Sequence, residues 1–243
     1  MQQVVVITGG TKGIGLELVR RFNKQGCKVF TCSRNETLWQ TLLKESPELK
    51  SVSYESVDIT NQEQLSRFFN NINGQIDIAV NNASPDIAAE GDFTELDISA
   101  LRNTIDNDLW GPILCLKHLM PLMSSGGRIV NVSSINGLGT APGASVYAAA
   151  KHGLEGLTKS LALEAIKQGV RINSVAPGVT WTPRWEEKEE KSPGLREVIS
   201  KKVPAGRVAL AGEIADAVEW LVSDRAGYVV GHTLVVDGGL GLV

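Results

Sequence analysis

Short β-branched apolar runs recur along the chain, at Val4 to Thr8, Lys28 to Cys32, Val52 to Val57, Ile76 to Val80, Arg128 to Val132, Arg171 to Val175 and Thr233 to Val236. Runs this short, and mostly apolar rather than alternating, suit strands covered on both faces, so they predict buried parallel strands. Between them the spacing changes to the helical period. Ile14, Leu18 and Phe22 share one stripe, and longer helical patterns run from about Ile98 to Met120 and from Tyr147 to Lys167. Strand and helix alternating in this way predict an α/β fold: a single-domain, Rossmann-type doubly wound parallel sheet of about seven strands, with helices on both faces.

The rhythm breaks between Pro177 and Gly206, where four prolines, two tryptophans and the charge run Glu186 to Lys191 occur without a strand-like run. In an open α/β sheet, a segment that follows a strand's carboxyl end lies over the ligand crevice, so 177–206 is expected to be a substrate lid. Its charged residues belong outside, with Glu187 and Lys191 paired one turn apart, and Trp181 and Trp185 belong towards a substrate.

Composition narrows the function. A chain of 243 residues makes one large domain, 1–243, so any catalytic group sits on the domain that binds any cofactor. The net charge of -3, with both signs scattered, argues against a basic face for nucleic acid or an anionic membrane. Met1-Gln2-Gln3 runs directly into Val4-Val5-Val6-Ile7 with no cationic leader, and no segment reaches transmembrane length, so a cytoplasmic protein is expected. Cys27, Cys32 and Cys115 lack CxxC spacing and are expected to be buried apolar side chains. His118, His152 and His232 show no metal-ligand spacing, and no catalytic metal is expected.

The first predicted strand ends in Thr8-Gly9-Gly10-Thr11-Lys12-Gly13-Ile14-Gly15, and the next helix begins inside that stretch. Glycines let the backbone turn tightly and approach a pyrophosphate, whose charge is met by amides at the helix N-terminus. The spacing Gly-x-x-x-Gly-x-Gly is not the GxGxxG fingerprint, but its place after the first strand of a βαβ unit marks a dinucleotide site. About 20 residues on, where an NAD-binding unit offers an acidic residue to the ribose hydroxyls, the chain reads Cys32-Ser33-Arg34-Asn35. Arg34, helped by Lys12, can pair with a 2′-phosphate, so NADP(H) is expected in preference to NAD(H).

Five ordered motifs, Thr8 to Gly15, Asn81-Asn82-Ala83, Ser134 with Tyr147 and Lys151, Pro177-Gly178, and Val236-Asp237-Gly238-Gly239, resemble the short-chain dehydrogenase/reductase family in its compact form. The resemblance covers about Val4 to Leu240. It implies an NAD(P)-dependent oxidoreductase that interconverts a carbonyl and an alcohol, of carbonyl reductase or 3-oxoacyl reductase type. Chemistry supports the roles independently. A free phenol, with a pKa of about 10, is a weak acid at neutral pH, and a cation held beside it favours its anion. Within Tyr147-Ala148-Ala149-Ala150-Lys151 the alanines favour helix, so phenol and ammonium share a face one turn apart. Ser134 looks like the family's catalytic serine, with neighbouring Ser133 expected to be structural. By resemblance, Asp58 and Ile59 meet the adenine, Asn81 lies near its ribose, and Val179 and Thr182 contact the nicotinamide carboxamide. Asp58 reads equally as turn chemistry ahead of a helix cap. A homotetramer or homodimer is implied by resemblance alone.

Two places depart from the family pattern. Asn-Asn-Ala-Gly is replaced by Asn81-Asn82-Ala83-Ser84, followed by Pro85. Counting back from Gly111, the fourth catalytic position, usually asparagine, is Asp108, with Asn107 beside it. Either Asp108 pairs with Lys151 and blunts its effect on Tyr147, or a helix bulge restores Asn107 to the role. The leading reading is an NADPH-dependent reductase of a small carbonyl compound. The alternative is a catalytically weak NADP(H)-binding regulatory protein.

Overall fold

Each of the seven apolar runs forms a strand of one sheet in the computed structural model, which describes residues 2–243. The strands of that sheet are β1 (Val4–Thr8), β2 (Lys28–Ser33), β3 (Ser53–Ser56), β4 (Ile76–Asn81), β5 (Met123–Val132), β6 (Arg171–Pro177) and β9 (Thr233–Val236). Their order is β3-β2-β1-β4-β5-β6-β9, with every neighbouring pair parallel. The connecting helices are α1 (Gly13–Lys24), α2 (Glu36–Glu45), α3 (Gln62–Asn70), α4 (Ile98–Ile105), α5 (Gly111–Leu119), α6 (Ser145–Ala165), α7 (Pro183–Lys191), α8 (Leu195–Ser200) and α9 (Ala211–Val222). Two hydrophobic cores result. Leu18, Phe22, Trp39, Ile214 and Leu221 from α1, α2 and α9 cover one face of the sheet, and Leu65, Phe69, Leu116, Leu119 and Ala162 from α3, α5 and α6 cover the other.

Chain order reverses between β1 and β4, which leaves a crevice at the carboxyl ends of the strands. Cys32 and Cys115 are fully buried in the core, and burial pushes the Cys32 thiol up to about 12. Cys27 is only half-buried.

The segment 177–206 is more ordered than its prolines suggested. It contains a two-residue strand, β7 (Thr180–Trp181), paired in parallel with β8 (Ala209–Leu210), and two helices. Pro183 occupies the first helical position of α7, where its fixed φ suits the helix and its missing N–H leaves no bond unmade. A residue that reads as a breaker therefore starts a helix. Glu187 and Lys191 do not pair; Lys188 instead reaches Glu90, in the loop after β4, at 2.9 Å.

Candidate active site

A cleft of about 440 Å³ opens where the strand order reverses. One wall is the turn from β1 into α1, from which Gly9, Thr11, Lys12, Gly13 and Ile14 line the space. Gly9 and Gly13 have φ of +74° and +56°, a region costly to any residue with a Cβ. A Cβ on Gly9 would also lie 2.8 Å from Ala83 Cα, and one on Gly13 would lie 3.1 Å from Thr182 Cγ2. Lys12 begins α1 without a side-chain cap, and no acidic residue occupies the first turn. The first amides of α1 are therefore left for an anion, and the turn leaves room for one to approach. The residues fit a dinucleotide pyrophosphate.

Ser33 and Arg34, at the end of β2, line the same cleft, as do Asp58 and Ile59 beyond β3. Arg34 and Lys12 are exposed, and neither forms an ion pair among the described residues. The Asp58 carboxylate accepts from the Thr60 amide at 2.9 Å and the Thr60 hydroxyl at 2.8 Å, so its turn role is real although it faces the cleft.

On the opposite wall the first turns of α6 hold Tyr147 and Lys151, which are 8% and 2% exposed. The Lys151 ammonium lies 5.4 Å from the centre of the Tyr147 ring and donates to the Val132 carbonyl at 3.4 Å. Ser134, directly after β5, also lines the cleft, and its hydroxyl accepts from the Asn136 amide at 3.2 Å. Ser133, expected to be structural, lines the cleft as well, and its buried hydroxyl has no partner.

The helix expected from Ile98 to Met120 is interrupted by a π-helical segment, Asp106–Trp110, closed by a bond from the Gly111 amide to the Asp106 carbonyl. Pro112 accounts for it. Proline has no N–H to give the Asp108 carbonyl, and in a regular helix its ring would strike that carbonyl. The widened turn brings both alternatives to the site. Asn107 lines the cleft, and the Asp108 carboxylate, 1% exposed, lies 3.3 Å from the Lys151 ammonium. Burial works against the Lys151 ammonium, yet the facing Tyr147 and Asp108 outweigh it and raise its pKa above the ordinary lysine value, with Arg184 pushing the other way.

A family model described as enoyl-(acyl carrier protein) reductase matches residues 9–241. A putative ketoacyl reductase from Streptomyces coelicolor is 32% identical, over 98% of this chain and 97% of its own length. The chain belongs to the short-chain dehydrogenase/reductase family. Another relative, 3beta-hydroxysteroid dehydrogenase 1 from Eggerthella lenta, is 33% identical over 99% of this chain and 94% of its own. Among solved structures, a variant of actinorhodin polyketide ketoreductase determined with NADPH superposes with a TM-score of 0.92 at 31% identity, covering 100% of this chain and 98% of that one.

In this short-chain dehydrogenase/reductase, Ala83, Pro177, Gly178 and Thr182 also line the cleft, whereas Gly15, Asn81 and Val179 stand behind it. Gly15 packs α1 under the turn, where a Cβ would lie 2.2 Å from the Gly9 carbonyl oxygen. The Asn81 amide donates to the Pro112 carbonyl at 3.2 Å, and the Val179 carbonyl accepts from the Ala209 amide at 3.0 Å. Trp185 lines the cleft, but Trp181, expected to do the same, points elsewhere and is covered by the Arg196 guanidinium at 4.5 Å.

Arg184 was not foreseen. It donates to Asp86 at 2.7 Å and to the Ser84 carbonyl at 3.3 Å, as well as to the Pro85 carbonyl, tying α7 to the loop after β4. No local pattern announces a contact between residues so far apart in the chain; its place within the proline- and tryptophan-rich stretch, between Pro183 and Trp185, was the only signal. Among the described residues, no three His, Cys, Asp or Glu cluster as a metal site would need, and no helix is long and apolar enough to cross a membrane.

Proposed function

We propose that this oxidoreductase uses NADPH to interconvert a ketone or aldehyde and the corresponding alcohol, with Tyr147 as the proton-transferring group. The observation that carries the reading is the meeting in one cleft of Tyr147, Lys151 and Ser134 with an uncapped helix start behind a glycine turn. NADPH, when bound, supplies the hydride that goes to the carbonyl carbon. The α1 amides hold its pyrophosphate, and Arg34 and Lys12 take the 2′-phosphate, with Ser33 rather than a carboxylate beside them. Tyr147 gives its proton to the carbonyl oxygen, and Lys151 favours the phenolate left behind. The Ser134 hydroxyl donates to the same oxygen and stabilises the charge developing there. Residues 177–206 act as a lid, pinned across the cleft mouth by Arg184 to Asp86 and Lys188 to Glu90, and limit water access.

The names of the ketoacyl, polyketide and steroid relatives support a ketone or 3-oxoacyl thioester substrate, and Trp185 beside the cleft supports one that is partly apolar. Ile98 and Leu163, 83% and 69% exposed on α4 and α6, support a homodimer or homotetramer, which light scattering checks. The deciding experiment follows NADPH absorbance over a panel of ketones, acyl thioesters, steroids and sugars. Tyr147→Phe should bind NADPH normally and lose turnover by roughly 10³-fold. Retained turnover removes Tyr147 from the mechanism. A chain that binds NADPH and reduces nothing on the panel is the regulatory protein instead.

A further inference from the structure

The two departures from the family pattern meet in space. The Ser84 hydroxyl donates to Asp108 Oδ1 at 2.6 Å, and the same oxygen lies 3.3 Å from the Lys151 ammonium. Ser84 and Lys151 both line the cleft, Lys151 at only 2% exposure, while Asp108, at 1%, is enclosed behind it. A buried carboxylate with one cation for a partner is poorly satisfied, and a hydroxyl aimed at the shared oxygen supplies the missing donor.

We propose that Ser84 and Asp108 form one positioning unit that keeps a carboxylate oxygen on Lys151, tempering the pull of its ammonium on the neighbouring phenol and biasing Tyr147 to act as a proton donor. This rests on the reading of Tyr147 as the proton-transferring group. The charged and titratable groups facing Lys151 are Tyr147 one turn before it on α6, Asp108 on the π-helical segment and Arg184 on α7. Unopposed, the Lys151 cation would pull Tyr147 towards phenolate. Asp108 held against it offsets part of that charge, and the pull weakens. Reduction needs the phenol and alcohol oxidation needs the phenolate. The unit therefore extends reduction to higher pH and delays the rise of oxidation. Ser84 is what makes this a fixed arrangement rather than a passing contact, because without its hydroxyl the enclosed carboxylate loses its second donor and its hold on the cation slackens. The widened turn before Pro112 presents the carboxylate at the depth of Lys151.

The test uses the full chain and a readout that needs no turnover. Tyrosinate absorbance is followed against pH in the protein and in Tyr147→Phe; the difference belongs to Tyr147, because the other tyrosines are Tyr54 and Tyr228. In Asp108→Asn this difference should appear at lower pH. Ser84→Ala should move it the same way by less, and Ser84→Thr, which keeps the hydroxyl, should return it. Once Asp108 is Asn, adding Ser84→Ala should move it no further, because the two act as one. In parallel, the pH at which kcat for alcohol oxidation with NADP+ reaches half its plateau should fall by the same amounts, with KM for the alcohol little changed. An unmoved difference in Asp108→Asn, or an equal Ser84→Ala shift in both backgrounds, overturns the proposal. A moved difference in a chain that reduces no carbonyl supports the unit and overturns the reductase reading instead.

Discussion

The turn from β1 into α1 makes its wall of the cleft from one short stretch, Gly9 to Ile14, shaped chiefly by backbone geometry, whereas the facing wall joins Ser84 to Asp108, 24 positions away, and to Arg184, 100 positions away. The first wall is local in sequence and sterically closed. Its glycines are defined by what they leave out, and the space is filled on the far side by Ala83, Asn82 and Thr182. The second wall is made of side chains brought together from separate segments of the chain. A shared phosphate-bearing ligand calls for the first kind of construction, and a variable substrate calls for the second.

The contrast breaks most visibly if a glycine is filled. Gly15→Ala places a methyl group against the Gly9 carbonyl, so it should cost about 3 kcal/mol, seen as a fall of roughly 10 °C in Tm by calorimetry, together with a large loss of NADPH affinity. An unchanged Tm would show that the turn yields as readily as the other wall. Arg34→Ala tests the cation beside the turn rather than its backbone: kcat/KM with NADPH should fall about tenfold to a hundredfold while the value with NADH hardly moves. Equal losses with both cofactors would remove Arg34 from the 2′-phosphate. On the side-chain wall, Arg184→Ala should raise KM for the carbonyl a few-fold and speed proteolytic cutting within 177–206 in the absence of ligand, leaving Tm nearly constant. Lys188→Ala should do least. Its partly exposed pair with Glu90 is expected to contribute under about 0.5 kcal/mol, and even that should vanish in high salt.

How far the sequence revealed each wall follows the same division. The five inner strands were legible because a strand covered on both faces must be apolar almost throughout, and Val5 to Ile7 or Ile129 to Val132 carry that signature in a few adjacent letters, whereas the edge strands β3 and β9, expected to be buried as well, are only partly covered because each has a neighbour on one side alone. β5 begins at Met123, five residues before its apolar run, because Ser124 to Gly127 join it with a register shift against β4 and carry no hydrophobic signal. The glycine turn, Tyr147 and Lys151 were legible for the same reason of nearness. The π-helical segment was not, although its cause, Pro112, stood in plain view; a proline after glycine inside a helical pattern signals disruption without saying whether the helix breaks, bends or widens. Arg184 and the pairing of Ser84 with Asp108 depend on how the loop after β4 meets α7 and the π-helical turn, a tertiary fact that no spacing encodes.

The parallel pairing of Thr180 and Trp181 with Ala209 and Leu210 staples together the two ends of the stretch that carries α7 and α8. What lies between the staples is a closed excursion whose closure entropy grows only slowly with length, by about 0.6 kcal/mol for each doubling. Its exposed part can therefore change length at small entropic cost while β6, α6 and α9 keep their places. A graft of a foreign stretch between residues 182 and 208 should keep α6 in place while replacing the part of the cleft wall that Thr182, Pro183, Arg184 and Trp185 now provide.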